Sequence, residues 1–145
     1  MCLWLNKILQ RKEQCNLTIL EDLLNMDLRK QILNEHSKEN CNRIIAWIGN
    51  DLSRFNELFN LFLNDEYRVT QRAAWPMSYC AIAHPEFLKN NFGKLISNLK
   101  KAGIHNSIKR NTVRVLQSLD IPEKYEGEIM ELCFKCVESN GSSCC

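Results

Sequence analysis

Few side chains in this sequence have the type and spacing for chemistry. Arg72 and Arg110 stand 38 residues apart, each opening a stretch with helical periodicity, and Arg114 lies one helical turn past Arg110. Guanidinium groups along one face suit a carboxylate or phosphate, held through paired N–H donors. The same placement suits a structural role, in which each arginine donates to loop carbonyls or to an acid of a neighbouring unit. Asp65 and Asp51 are the candidate acids. Trp75 follows Arg72 by three residues, Tyr79 lies one turn further, and Trp47 lies upstream. Core packing accounts for such aromatics, whereas one exposed in a groove anchors a partner's side chain or stacks on a base. The candidate binding residues are therefore Arg72, Trp75, Arg110 and Arg114.

No catalytic residues emerge. Cys133 and Cys136 form a CxxC pair, and Cys144 and Cys145 follow at the C-terminus. Structural zinc needs four converging ligands. Here one pair sits within an amphipathic helical pattern and the other on a small, polar tail, so no metal and no cofactor is expected. A redox CxxC belongs at the start of a helix after a strand, not late in a helix. His36, His84 and His105 fall at helix ends or loops, and no two are close in sequence. No nucleophile has a recognisable neighbouring base, and there is no glycine-rich phosphate loop.

The net charge is +2, but it is unevenly spread. Residues 87–119 carry Lys89, Lys94, Lys100, Lys101, Lys109, Arg110 and Arg114 with no acid, and the helix after them is acidic from Glu123 to Glu131. Such a run is either a solvated face or a site for nucleic acid or an acidic protein. No apolar run reaches the length of about 18 residues that spans a bilayer. The N-terminal MCLWLNKILQRK lacks the basic start of a signal peptide, so a cytoplasmic protein with eight free cysteines is expected.

Glycine and proline are scarce, 5 and 3 of 145 residues, which favours long helices. Thr18 with Glu21 makes a capping box for a helix burying Leu20, Leu23, Leu24, Leu28 and Ile32. Ser37 caps a helix with stripe Cys41, Ile44, Ile45 and Ile48, ended by Gly49. Further helices are expected at about 52–63, 66–83, 86–100, 106–119 and 122–138, with Pro85 in the first turn of the fifth. Pro76, inside the fourth, removes a hydrogen bond and is expected to bend that helix, while Ala73 and Ala74 let it approach its neighbours closely. No segment alternates like a strand.

A shift of 38 residues lays helix on helix. Leu20, Leu58, Ile96 and Phe134 align, as do Leu23, Leu61, Leu99 and Val137, and Arg72 falls on Arg110. Two helices per unit at this period describe an all-α solenoid of HEAT-like antiparallel helix pairs, about seven helices in all. It forms one domain over residues 1–138, with 139–145 as a disordered tail.

The segments DEYRVTQRAAW, HPEFL, HNSIKRNTVRVLQSLDIPE and EGEIMELCF resemble a small bacterial family of HEAT-repeat proteins, over about Leu20 to Val137. More distantly, the Arg-Ala-Ala element at Arg72 is similar to HEAT-like DNA alkylation-repair glycosylases. The resemblance implies the fold and carries no catalytic motif. The expected function is a non-catalytic scaffold that presents its second helices to a protein partner. The alternative is a nucleic-acid-binding relative of the glycosylases. Binding of nucleic acid is expected to be weak, and no membrane partner is expected. The last helix spreads Ile129, Met130, Leu132, Cys133, Phe134 and Val137 over more than one face. Exposure of Met130 or Phe134, with self-association through that helix or instability in isolation, follows as an expectation.

Overall fold

Local capping chemistry sets most of the helix boundaries. The computed structural model describes residues 26–139, with side chains as far as Lys135. It contains α1 (Leu28–Asn34), α2 (Lys38–Ile48), α3 (Leu52–Asn64), α4 (Tyr67–Ala83), a 3₁₀ turn (Pro85–Leu88), α5 (Phe92–Leu99), α6 (Asn106–Ser118) and α7 (Glu123–Ser139). Among the described residues there is no strand.

Ser37 caps α2 by accepting from the Asn40 N–H, and Asp51 caps α3 by accepting from Ser53 and Arg54. At the far end of α2, Gly49 has φ +48° and donates to the Ile45 carbonyl, a left-handed stop that other residues adopt only with strain. The inward stripe of α3 is Phe55, Leu58, Phe59 and Phe62, all buried, which is the i, i+3, i+4, i+7 pattern of one helix face. Helix α4 runs unbroken through the buried Pro76, and Ala73 and Ala74 are fully enclosed where α4 packs on its neighbours.

Two expected helices differ from their predicted extents. Of the helix expected from Thr18 to Ile32, the described part is α1, which begins at Leu28 after Asp27, extended (φ −78°, ψ 98°) and capping α1 by accepting from the Lys30 N–H. The proposed capping box and Leu20, Leu23 and Leu24 lie outside the described residues, as do the tail from 140 onward and the side chain of Val137. The helix expected over 86–100 is a 3₁₀ turn, a break at 89–91, and α5. Asn91 accounts for the break. Its Nδ2 donates to Asn56 Oδ1 (3.1 Å) and contacts the Phe87 carbonyl (3.4 Å), so its amide stabilises a turn in place of helix.

The units repeat as antiparallel pairs, with α3, α5 and α7 as first helices and α4 and α6 as second helices, while α1 and α2 together occupy the register of a second helix, broken at residues 35–37. The polar contacts between units confirm the period. Lys101 Nζ donates to the Leu63 carbonyl, Arg72 to the Leu33 carbonyl and Ser107 Oγ to the Gln71 carbonyl, across 38, 39 and 36 residues. Leu58 and Ile96, aligned by the shift, are both fully buried. Their counterpart Phe134 is 63% exposed. Helix α7 touches the stack through Tyr125, Ile129 and Leu132, the Phe92–Tyr125 ring stack at 5.3 Å and the Lys100–Glu128 ion pair at 2.6 Å. Gly93 makes the first of these possible, because a Cβ there would lie 2.9 Å from the Tyr125 hydroxyl.

Candidate functional site

Helix α1 is seven residues long, and its last carbonyls have no partner within the helix. The buried Asn40 takes two backbone carbonyls through Nδ2, those of Gln31 (2.8 Å) and Glu35 (2.6 Å). Arg72 takes the next pair, donating through Nη1 to Leu33 (2.7 Å) with Ile32 at 3.4 Å. Arg72 therefore clamps the end of α1 onto α4. Neither acid suggested from the sequence pairs with it. Asp65 instead accepts from Arg29 at 3.0 and 3.1 Å, and that hydrogen bond holds its carboxyl below the usual range. Asp51 caps α3 and lies 3.6 Å from Arg54.

The arginine ladder does not continue. Arg110 is exposed and makes no hydrogen bond or ion pair among the described residues. One period on, the carbonyls corresponding to Ile32 and Leu33 are those of Thr70 and Gln71. They lie near the start of the unbroken α4, which continues past them and pairs their carbonyls within the helix, so they present no orphaned acceptors. There Ser107 Oγ makes a longer contact to Gln71 (3.4 Å), and Asn111 Oδ1 accepts from Ser78 Oγ (3.1 Å).

What reaches the surface along the second helices is aromatic and basic. Trp75 is half-buried, its ring edge-on to His36 at 5.8 Å. Beside it Arg72, Trp75 and Pro76 line a crevice of about 10 Å³, scarcely room for one water. Tyr79, one turn along α4, is 48% exposed, and the Arg114 guanidinium lies 5.9 Å from its ring centre. Trp75, Tyr79, Arg114 and Arg110 thus share the face formed by α4 and α6. Trp47 is core, covered by the Arg54 guanidinium at 4.8 Å. The Tyr79–Arg114 pairing was not visible beforehand, because its partners come from different repeats. Its only signal is the four-residue step from Trp75 to Tyr79.

The remaining reactive groups are occupied or shielded. Burial pushes the Cys41 thiol up to about 11 and the Cys80 thiol up to about 12, so both stay protonated at neutral pH and are poor nucleophiles. Cys133 is exposed on α7 rather than packed in an apolar row. His105 caps α6, accepting from the Ser107 N–H at 3.0 Å, and His84 lies 3.2 Å from Glu86. No cluster of potential metal ligands occurs among the described residues. None of their helices is long and apolar enough to cross a membrane.

Stacked helix pairs with cross-unit bonds at a near-constant sequence interval define an α-solenoid. The family model for the HEAT repeat domain matches residues 28–145, and the chain belongs to that family. No curated protein and no solved structure matches it.

Proposed function

We propose that the chain is a non-catalytic scaffold that binds a protein partner across the α4–α6 face. HEAT repeats are helical-repeat modules that commonly mediate protein interactions, and solenoids bind through extended surfaces of this kind. The observation that carries the proposal is the exposed Tyr79 with Arg114 over its ring, next to Trp75. Aromatic residues and arginine dominate binding energy at protein interfaces. A photo-crosslinker at position 79, in cells expressing the full chain, is expected to give a discrete protein adduct that Arg114→Ala abolishes. An adduct that persists in that variant, or none, removes this face as the binding site. We place the protein in the cytoplasm, consistent with the free thiols of Cys41, Cys80 and Cys133 among the described residues.

Arg110 and Arg114, with no acid paired to them and an exposed tyrosine beside them, favour the second reading: binding of nucleic acid in the manner of the alkylation-repair relatives. Against it, the basic run is dispersed. Lys100 is tied to Glu128, Lys101 donates to the Leu63 carbonyl, and Lys94 lies between α3 and α5. Few charges are left to release counterions together, so duplex DNA is expected to bind weakly and to dissociate steeply as salt rises. A fluorescence titration at two salt concentrations checks this. Tight binding at physiological salt reverses the order of the two readings.

Self-association through α7 belongs to the same proposal. Met130 and Phe134, 58% and 63% exposed, form an apolar ridge four residues long beside the half-buried Ile129. Burying such side chains is worth about 1.5–3 kcal/mol each. Light scattering across a dilution series is expected to show a concentration-dependent dimer, and Phe134→Glu to leave a monomer. A wild-type chain that stays monomeric at high concentration contradicts it.

A further inference from the structure

A second surface, on the first helices, has different chemistry. Asn56, Asn60 and Asn64 stand four residues apart along α3 and line two adjoining clefts between α3 and α5, of about 340 and 590 Å³. Both clefts include Asn60, Asn90 and Lys94. Asn60, Asn64 and Asn90 make no side-chain hydrogen bond among the described residues. Asn98, only 4% exposed, lines the larger cleft, and its Nδ2 is buried with no partner among the described residues.

The spacing indicates what would bind. Four residues of helix rise about 6 Å, and two residues of extended chain advance about 6.6–6.8 Å. Carboxamides at every fourth helical position therefore come close to the spacing of the peptide groups of a strand; those of Asn60 and Asn64 can both donate to a carbonyl and accept from an N–H, whereas the Asn56 Oδ1 already accepts from Asn91. The charge adds polarity to the match. Two cations, Lys94 and Lys101, and two carboxylates, Glu86 and Glu128, line the clefts; Glu128 is ion-paired with Lys100 and Glu86 contacts the His84 imidazole, whereas Lys94 has no partner among the described residues. We propose that this asparagine-lined groove binds an extended, acidic peptide segment of a partner protein, its main chain on the carboxamides and a carboxylate on Lys94. This surface is separate from the Tyr79–Arg114 face, and either can fail without the other.

Selection from a displayed library of random dodecapeptides against the full chain tests it. Acidic sequences are expected to enrich. A synthetic copy of an enriched peptide is expected to bind about ten-fold or more weakly to the Asn60→Ala/Asn64→Ala chain and to the Lys94→Glu chain. Methylating alternate peptide nitrogens is expected to weaken it similarly, because main-chain donors are removed. All three residues are exposed, and an unchanged circular dichroism melt confirms that these chains fold. Tyr79→Ala/Arg114→Ala is expected to leave the affinity unchanged. The proposal is overturned if acidic peptides do not enrich, if the methylated copy binds equally well, or if only the Tyr79/Arg114 variant loses binding. Displacement of the peptide by a stoichiometric thymidine oligonucleotide overturns it in favour of a nucleobase site.

Discussion

Phe55→Ala is expected to destabilise the fold by about 3–5 kcal/mol, the cost of emptying a large buried aromatic site. Phe55 is fully enclosed, with its ring 5.9 Å from Phe59 on the same helix and 5.1 Å from Phe87 in the 3₁₀ turn of the following unit. The substitution therefore removes packing within α3 and also the contact that joins one unit to the next. A typical domain has about 5–15 kcal/mol of stability in total, so a large fraction is lost. With a urea m-value of about 1–3 kcal/mol/M, the midpoint is expected to fall by more than about 1 M. Phe134→Ala, unfolded at a concentration low enough to keep the chain monomeric, is the control, because its ring is 63% exposed and surface changes shift stability by less than about 0.5 kcal/mol. Urea unfolding of the two variants in parallel checks both. Equal shifts contradict the contrast between a buried inter-unit ring and an exposed one.

Those two phenylalanines also show what could be read in advance. The inward face of α3 was legible because four aromatic and leucine side chains recur at helical spacing, and such a pattern has one way to be buried. The 38-residue alignment was legible for the same reason, and it placed Leu58 and Ile96 correctly in the core. Phe134 occupies the same row and is exposed, since register specifies which face a residue takes and not whether another element covers that face. The breaks were harder. Asp27 and Asn91 are polar residues in stretches whose sequence pattern is helical: Asp27 caps the start of α1, and Asn91 offers its amide to the turn before α5. The site was less legible than the fold. Arg72 and Arg110 look equivalent in sequence, but their environments depend on whether the preceding second helix has ended. That is decided by the Glu35-His36-Ser37 interruption between α1 and α2. The asparagine groove has no signal in the sequence, because Asn56, Asn60 and Asn64 lie on α3 and Asn90 and Asn98 on the next unit, and carboxamides carry no charge.

The inequivalence of the two arginines leads to the second large expected effect. Arg72→Met keeps most of the aliphatic stem and removes the donors that hold the Leu33 and Ile32 carbonyls. Methionine preserves the stem's packing, so the loss reports the hydrogen bonds. A charged donor to a carbonyl contributes about 1.5–3 kcal/mol, and stranding the half-buried acceptors brings the cost towards the upper end. Arg110→Met removes a side chain with no bonded partner among the described residues, and is expected to change stability by less than about 0.5 kcal/mol. Thermal unfolding compares the two, and hydrogen exchange localises the effect. In the Arg72 variant, the amides of α1 are expected to exchange faster than those of α6, because the clamp secures the end of α1 and no other second helix depends on it. If Arg72→Met melts like the wild type, Arg72 does not secure α1. Its guanidinium is then available to a ligand beside Trp75, and the binding face extends from Arg114 to the crevice at His36.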